Sequence, residues 1–285
     1  MGYKVIDGKV IIPDGVTKIE EWAFSGCSSL KSIEIPNSVT EIGYYAFNGC
    51  TSLQSIEIPD SIKEIGDNAF DGCTSLQSIE IPNSVTEIGY YAFSGCTSLK
   101  SIMIPNSVTS IGEFAFNCCT SLQSIDIPDS VTQINGTIFS DCNNLTSIIV
   151  SKNNSRYKST NNCILTKDGK KLVLCRNHNI PNGVTEIGRF AFSGCTSLQS
   201  IEIPNSVTEI GYSAFGGCTS LQSIEIVTQE KEPDLSLERI EYLLQALSEY
   251  SKVISLRVPI GCGYAYRHHP AFEDKFQKII SAIDV

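Results

Sequence analysis

The feature that most constrains this chain is a period of 23 residues, marked by a cysteine at a fixed place in each unit. The marking cysteines are Cys27, Cys50, Cys73, Cys96, Cys119 and Cys142, and the interval resumes with Cys195 and Cys218. Self-similarity at such a period indicates a solenoid, because a unit of this size cannot bury its own apolar face and stacks on its neighbours. The sequence therefore predicts a core that lengthens with each repeat and never thickens.

One unit, "IPDSIKEIGDNAFDGCTSLQSIE" from Ile58, shows what each position predicts. The alternation Leu76-x-x-Ile79-x-Ile81 is typical of a short strand whose isoleucines point inward. Pro82 should end this strand, because proline has no N–H to donate to a ladder. We predict that Leu, Ile, Ile, Ile/Val, Ile, Ala, Phe and Cys recur as the inward set. Successive strands should then stack in a parallel sheet about 4.8 Å apart.

The run L-x-x-I-x-I-P-x-S-V-x-x-I-G-x-x-A-F-x-G-C-x-S-L resembles the BspA-like leucine-rich repeat, a class with 23-residue units. The match covers roughly residues 12–226, although the unit around Asn135 lacks the IG and AF signatures. The resemblance implies an α/β repeat solenoid, a right-handed coil with a parallel sheet on one face and short helical turns or loops opposite. It implies a non-enzymatic, adhesion-type protein-binding module, secreted or at the cell surface. The alternative is an intracellular protein–protein interaction scaffold of the same fold.

Three parts are predicted along the chain. Residues 1–11 form a capping strand or hairpin, residues 12–226 the solenoid, and residues 227–285 a C-terminal cap. In the cap, apolar residues from Leu237 to Leu247 recur with the spacing of a helix with one buried face, which predicts a helix over 236–249. Within the solenoid, residues 150–180 break the period, and Asp168-Gly169 is a hairpin turn signal. This hairpin is either a binding protrusion or a tolerated insertion.

The cysteines of the repeat slot are predicted to be buried thiols. Stacked coils bring their Cα atoms close, but their Cβ vectors run parallel, which does not suit a disulfide. A thiol also behaves as a small apolar side chain. Cys163 and Cys175 fall opposite each other if the hairpin turn uses three residues, so they are either bonded or two separate thiols.

No motif in the sequence assembles a catalytic, cofactor-binding or metal site, and we expect no enzyme and no cofactor. His268-His269 has the wrong spacing for chelation from one helix face. The net charge of −10 disfavours nucleic acid and anionic membrane surfaces. No apolar run is long enough to insert into a membrane, and we expect a monomer. Residues 1–10 do not resemble a signal peptide, so a cytoplasmic location remains an alternative to the extracellular one.

A partner surface is predicted where the strand residue between the two inward isoleucines faces outward. These residues are Glu34, Glu57, Glu80, Met103, Asp126, Ile149, Glu202 and Glu225. Six of the eight are acidic, so the row either binds a basic protein partner or was copied along with the repeats. A second row is aromatic and either packs over the core or contacts a partner; it comprises Trp22, Tyr44, Tyr45, Tyr90, Tyr91, Phe114, Phe190 and Tyr212.

Overall fold

The computed structural model describes residues 4–226 together with two strands at 255–258 and 279–281. The chain separates into two compact units, Met1–Lys158 and Ser159–Val285, which are described in turn.

The first unit contains two sets of strands that alternate along the chain. The longer strands are β1 (Lys9–Ile11), β3 (Ser32–Glu34), β5 (Ser55–Glu57), β7 (Ser78–Glu80), β9 (Ser101–Met103), β11 (Ser124–Ile127) and β12 (Ser147–Val150). The shorter strands are β2 (Lys18–Ile19), β4 (Glu41–Ile42), β6 (Glu64–Ile65), β8 (Glu87–Ile88) and β10 (Ser110–Ile111). Where strands of the same set pair, they are parallel with a 23-residue offset, as Ile56 is with Ile79. This offset gives one coil per repeat, with two faces of short parallel strands.

The third side of each coil is built from turns, and this corrects the predicted α/β class. No helix occurs among residues 4–226. The reason is visible between Tyr45 and Gly49, whose φ angles of 56° and 69° lie in the left-handed region and interrupt any helix. The amide of Phe47 bonds the carbonyl of Ala69 in the next coil at 2.9 Å. The described residues therefore form an all-β solenoid of stacked coils.

The inward set predicted from the repeat is confirmed. In the unit from Ile58, Leu76, Ile79, Ile81 and Phe70 are all buried, as are the corresponding residues of its neighbours. The phenylalanines stack in a ladder, with ring centroids 5.4 Å apart for Phe24–Phe47, 5.3 Å for Phe47–Phe70, 5.4 Å for Phe70–Phe93, 5.5 Å for Phe93–Phe116 and 5.7 Å for Phe116–Phe139. Because each ring packs on the next, one repeat depends on its neighbours for its core.

The second unit begins where the period breaks. Its strands are β13 (Tyr157–Thr160), which crosses the boundary, β14 (Cys163–Thr166), β15 (Lys171–Cys175), β16 (Glu186–Ile187), β17 (Ser200–Ile203), β18 (Glu209–Ile210), β19 (Ser223–Ile226), β20 (Ser255–Val258) and β21 (Ile279–Ser281). β14 and β15 are antiparallel around Asp168-Gly169, and β16 and β18 continue from β15 in parallel. β19, β20 and β21 are successive parallel neighbours. The helix predicted over 236–249 lies outside the described residues.

Candidate binding surface

The outward strand residues of the first unit form a row that we call the acidic column: Glu34, Glu57, Glu80, Met103, Asp126 and Ile149. Each lies at the same position of its strand, and the register pairs Glu57 with Glu80 and Asp126 with both Met103 and Ile149. All six side chains are exposed. The second unit carries the matching pair Glu202 and Glu225, which are also in register. The predicted residues thus occupy one strand position, one per coil, and backbone pairing places Glu57 beside Glu80 and Asp126 between Met103 and Ile149.

The column has an apolar end that the sequence interpretation missed. Ile11 pairs in register with Glu34 and has 69% of its surface exposed. The signal was present, because Ile11-Ile12-Pro13 aligns with Glu34-Ile35-Pro36 and puts Ile11 in the glutamate slot. Met103 is 80% exposed on the other side of the three glutamates. The glutamates are therefore bracketed by two exposed apolar side chains.

The glutamates of the column are not paired with a cation among the described residues. Neighbouring strands lie about 5 Å apart, and at that distance a like-charge contact costs roughly 0.8 kcal/mol even in the dielectric of bulk water. Within the described part of the chain, Glu34, Glu57 and Glu80 form no salt bridge, and neither does the nearby Lys31. A cation supplied from outside would relieve this repulsion.

A second row of glutamates lies on the shorter strands. Lys18 neutralises Glu41 through a 2.8 Å salt bridge, and Glu64 and Glu87 follow in the next two coils. The pKa of Glu64 is raised, first because of its partial burial and then because of the negative charges of Glu87, Asp67 and Glu41. Glu41, Glu64, Asp67 and Glu87 thus place several carboxylates close together on this face.

The interior cysteines carry no nucleophilic chemistry at neutral pH. Cys50 donates its S–H to the carbonyl of Phe24 at 3.1 Å, and Cys73 bonds Phe47 in the same way. Burial raises the pKa of Cys50 from 9.0 to about 12, and it raises the pKa of Cys73 further. Since the thiolate is the reactive form, these side chains are packing residues. Among the residues that the structure describes, no group of three His, Cys, Asp or Glu side chains could hold a metal ion.

The irregular stretch is held by different contacts. Cys163 and Cys175 are opposite each other on β14 and β15 and form a disulfide, with Cα atoms 4.0 Å apart. The next residue, Arg176, donates from Nη1 to the Ser193 carbonyl at 2.6 Å and to Cys195 Sγ at 2.9 Å. A disulfide thus cross-links the two strands of the hairpin, and the hydrogen bonds of Arg176 connect the hairpin to the repeat that follows.

The predicted aromatic row divides into paired and unpaired rings. The rings of Trp22 and Tyr45 stack at 4.0 Å and those of Tyr91 and Phe114 at 4.8 Å. In the second unit, Phe190 meets Tyr212 edge-on at 5.9 Å. Tyr44 and Tyr90 contact no other ring within the described residues and are 49% and 53% exposed. Packing therefore explains most of this row and leaves two tyrosines unexplained.

Comparison with known proteins agrees with this architecture. A model of the BspA-type leucine-rich repeat region matches in six copies at residues 8–86, 63–167 and 171–243. No curated protein matches the chain. None of the described residues belongs to a helix that could cross a membrane.

Solved structures of bacterial leucine-rich repeat proteins are similar to this chain. A leucine-rich cell surface protein from Faecalibacterium prausnitzii is 26% identical, with a TM-score of 0.61 over 96% of this chain and 88% of that protein. A leucine-rich repeat protein from T. pallidum is 30% identical, with a TM-score of 0.50 over 75% of this chain and 78% of that one. A Bacteroides ovatus leucine-rich repeat protein is 26% identical, with a TM-score of 0.53 over 97% of this chain and 70% of its own.

Proposed function

The chain belongs to the BspA-type leucine-rich repeat family, and we propose that it is a non-enzymatic, adhesion-type protein-binding module, secreted or displayed at the cell surface. Support for the location comes from the similar Faecalibacterium protein, which is described as a cell surface protein. Support for binding comes from the solenoid itself, which presents one side chain per coil along an extended surface.

The observation that carries the proposal is the composition of the acidic column. Glu34, Glu57 and Glu80 are exposed and adjacent and form no salt bridge with any described residue, so they repel one another. Ile11 and Met103 add exposed apolar surface at either side. A protein segment that places basic residues over the glutamates and apolar residues over the two ends would relieve the charge repulsion and remove the apolar surface from water.

The intracellular scaffold is the second candidate, and one observation favours it. The cysteines of the repeat slot form no disulfide, which is typical of a reducing compartment. The bond between Cys163 and Cys175 favours an oxidising one. Most slot thiols are buried and away from oxidants, so they are compatible with secretion. Protease treatment of intact cells separates the candidates, because a surface protein is cleaved and an intracellular one is protected.

The column is tested with the triple variant E34Q/E57Q/E80Q. Its binding to a labelled peptide of alternating lysine and leucine should be several-fold weaker than that of the parent at low salt, because three counter-charges are lost. The matched control is D14N/E20Q/D129N, which removes three exposed charges elsewhere and should bind like the parent. If binding were weakened equally in both variants, the effect would come from net charge alone, and the column would not be the binding site.

A further inference from the structure

The residues that follow the glycine of each Ile-Gly pair form a row that is exposed except at the half-buried Asp67, and we call it the post-glycine row. It comprises Tyr44, Asp67, Tyr90 and Glu113 in the first unit and Arg189 and Tyr212 in the second. Backbone bonds between coils keep the row aligned, because the carbonyls of Asp67 and Tyr212 accept from the amides of Tyr45 and Phe190 at 3.1 and 3.2 Å. Equivalent positions in the two units can therefore be compared directly.

In the second unit, the tyrosine of the post-glycine row is contacted by an arginine of the same row. The guanidinium of Arg189 lies 5.9 Å from the ring centroid of Tyr212 and 5.9 Å from that of Phe190. A guanidinium over an aromatic face within about 6 Å is attracted by the ring quadrupole. The second unit thus provides an example of a guanidinium bound against the ring of a tyrosine in this row.

In the first unit the same position before a tyrosine carries the opposite charge. Asp67 stands one coil before Tyr90, as Arg189 stands one coil before Tyr212. The Tyr90 ring is 53% exposed and has no partner within the described residues, and Tyr44, on the other side of Asp67, is 49% exposed. Asp67 therefore occupies the row position that Arg189 has in the second unit, and the tyrosines in the coils before and after it have exposed rings.

The carboxylate is held in place, and the groove around it has a net negative charge, because four carboxylates and one arginine, Arg156, line it. Asp67 Oδ1 accepts a 2.7 Å hydrogen bond from the Tyr90 amide, which orients the carboxylate and leaves Oδ2 for a ligand. Glu64 and Glu87 line the same groove of about 730 Å³, and neither forms a salt bridge within the described residues. Lys18, on β2 of the same sheet, is engaged by Glu41.

We propose that the groove formed by Tyr44, Asp67 and Tyr90 binds an arginine side chain of the protein partner. The guanidinium lies against the Tyr90 ring, as Arg189 lies against Tyr212, and donates to Asp67 Oδ2. Glu64 and Glu87 supply the complementary field. This inference rests on the proposed protein-binding function and adds to it the chemistry of one contact.

The test measures binding of a labelled glycine–arginine peptide by fluorescence anisotropy. The parent should prefer it to the analogue in which citrulline, a neutral side chain of nearly the same shape, replaces arginine. Tyr90→Leu should weaken binding about 2- to 30-fold, and Tyr90→Phe should keep it, because the attraction comes from the ring face. Tyr212→Leu is the matched control and should bind like the parent. Equal affinity for the citrulline peptide, or unchanged binding by Tyr90→Leu, would overturn the site.

Asp67→Arg provides an independent arm. It gives the first unit the arrangement of Arg189 and Tyr212, so the chain's own cation should occupy the groove and abolish peptide binding. An Asp67→Arg variant that still binds the peptide like the parent, with an unchanged melting temperature, would also overturn the site.

The column variant E34Q/E57Q/E80Q separates this inference from the proposed function. If Tyr90→Leu binds the arginine peptide normally while the column variant loses the lysine–leucine peptide, the arginine site is wrong and the protein-binding function stands. If Tyr90→Leu loses the arginine peptide while the column variant binds both peptides normally, the arginine site stands and the column is not the partner surface. If neither variant changes binding, both proposals are wrong.

Discussion

The regular coils of residues 27–142 and the irregular stretch of residues 150–195 are stabilised by different kinds of contact. In the regular coils each layer of core is a copy of the last, with Phe70 packed between Phe47 and Phe93 at 5.3 and 5.4 Å. In the irregular stretch no copied layer is available. A disulfide between Cys163 and Cys175 and the part-buried hydrogen bonds of Arg176 stabilise it instead.

The difference teaches which parts of a repeat protein depend on copying. Where neighbours are identical, stacking of the same side chain supplies the core and outward positions are left to vary, as the glutamates and Met103 of the column do. Where the period breaks, specific pairs of unlike residues hold the chain together. Each prediction below changes one side of this comparison.

The largest effect is expected from the phenylalanine ladder. Phe93→Ala should lower the free energy of unfolding by about 3–5 kcal/mol, because Phe93 is fully buried between two stacked rings. Tyr90→Ala in the same repeat removes a half-exposed ring and should cost much less. Chemical denaturation of both variants makes the comparison, and equal losses would show that the inward assignment is wrong.

Loss of the hairpin disulfide should have the next largest effect. The double variant Cys163→Ala/Cys175→Ala releases a cross-link between residues 12 positions apart, so stability should fall by about 2–3 kcal/mol. Cys118→Ala, at a half-buried thiol outside any disulfide, is the control. Thermal melts of the two variants that coincide would mean that the bond does not hold the irregular stretch.

Neutralising the surface of the regular coils should have a small and opposite effect. E34Q/E57Q/E80Q removes like-charge contacts, so its free energy of unfolding should equal or exceed that of the parent by at most about 1–2 kcal/mol, less at high salt. A destabilised variant would show that the glutamates support the fold, and the column would then lose its standing as a surface free to bind.

The thiol ladder should produce the smallest effect, and only at alkaline pH. The pKa of Cys50 is about 12 in the folded chain against an ordinary value of 9.0, so its thiol ionises in the unfolded chain first. Its contribution is fully present below pH 9 and is lost as the pH rises toward 12. At pH 10 this loss should be about 1 kcal/mol or less after solvent screening. Cys50→Ala should therefore reduce the fall in stability measured between pH 8 and pH 10, and an identical fall would contradict the burial argument.

The sequence predicts the regular coils well because every repeat gives the same information. Period, inward set and strand position can all be read from one unit, and eight copies of the cysteine slot reinforce it. The α/β class is wrong: of the short helical turns or loops predicted for the far side, the described residues form turns and no helix. The motif around Ala69 and Phe70 has helical spacing, but the left-handed residues and the bonds between coils that replace a helix are not visible in one repeat.

The irregular stretch could not be predicted to the same depth. The Asp168-Gly169 signal locates the hairpin turn, yet the Cys163–Cys175 bond depended on a register that the sequence left open. The contact of Arg176 with Cys195 joins positions 19 residues apart, outside the period. For the same reason the pairing of Arg189 with Tyr212, and the lack of a described cation over the Tyr90 ring, required the structure.

The most direct test of the central claim, that the acidic column recognises a basic partner, is to reverse its charge. The variant E34K/E57K/E80K should lose the lysine–leucine peptide and gain a glutamate–leucine peptide, with Ile11 and Met103 still supplying the apolar contacts. Anisotropy titrations at low and high salt, on a variant whose melting curve matches the parent, measure both affinities. Continued preference of this variant for the lysine–leucine peptide would contradict the account.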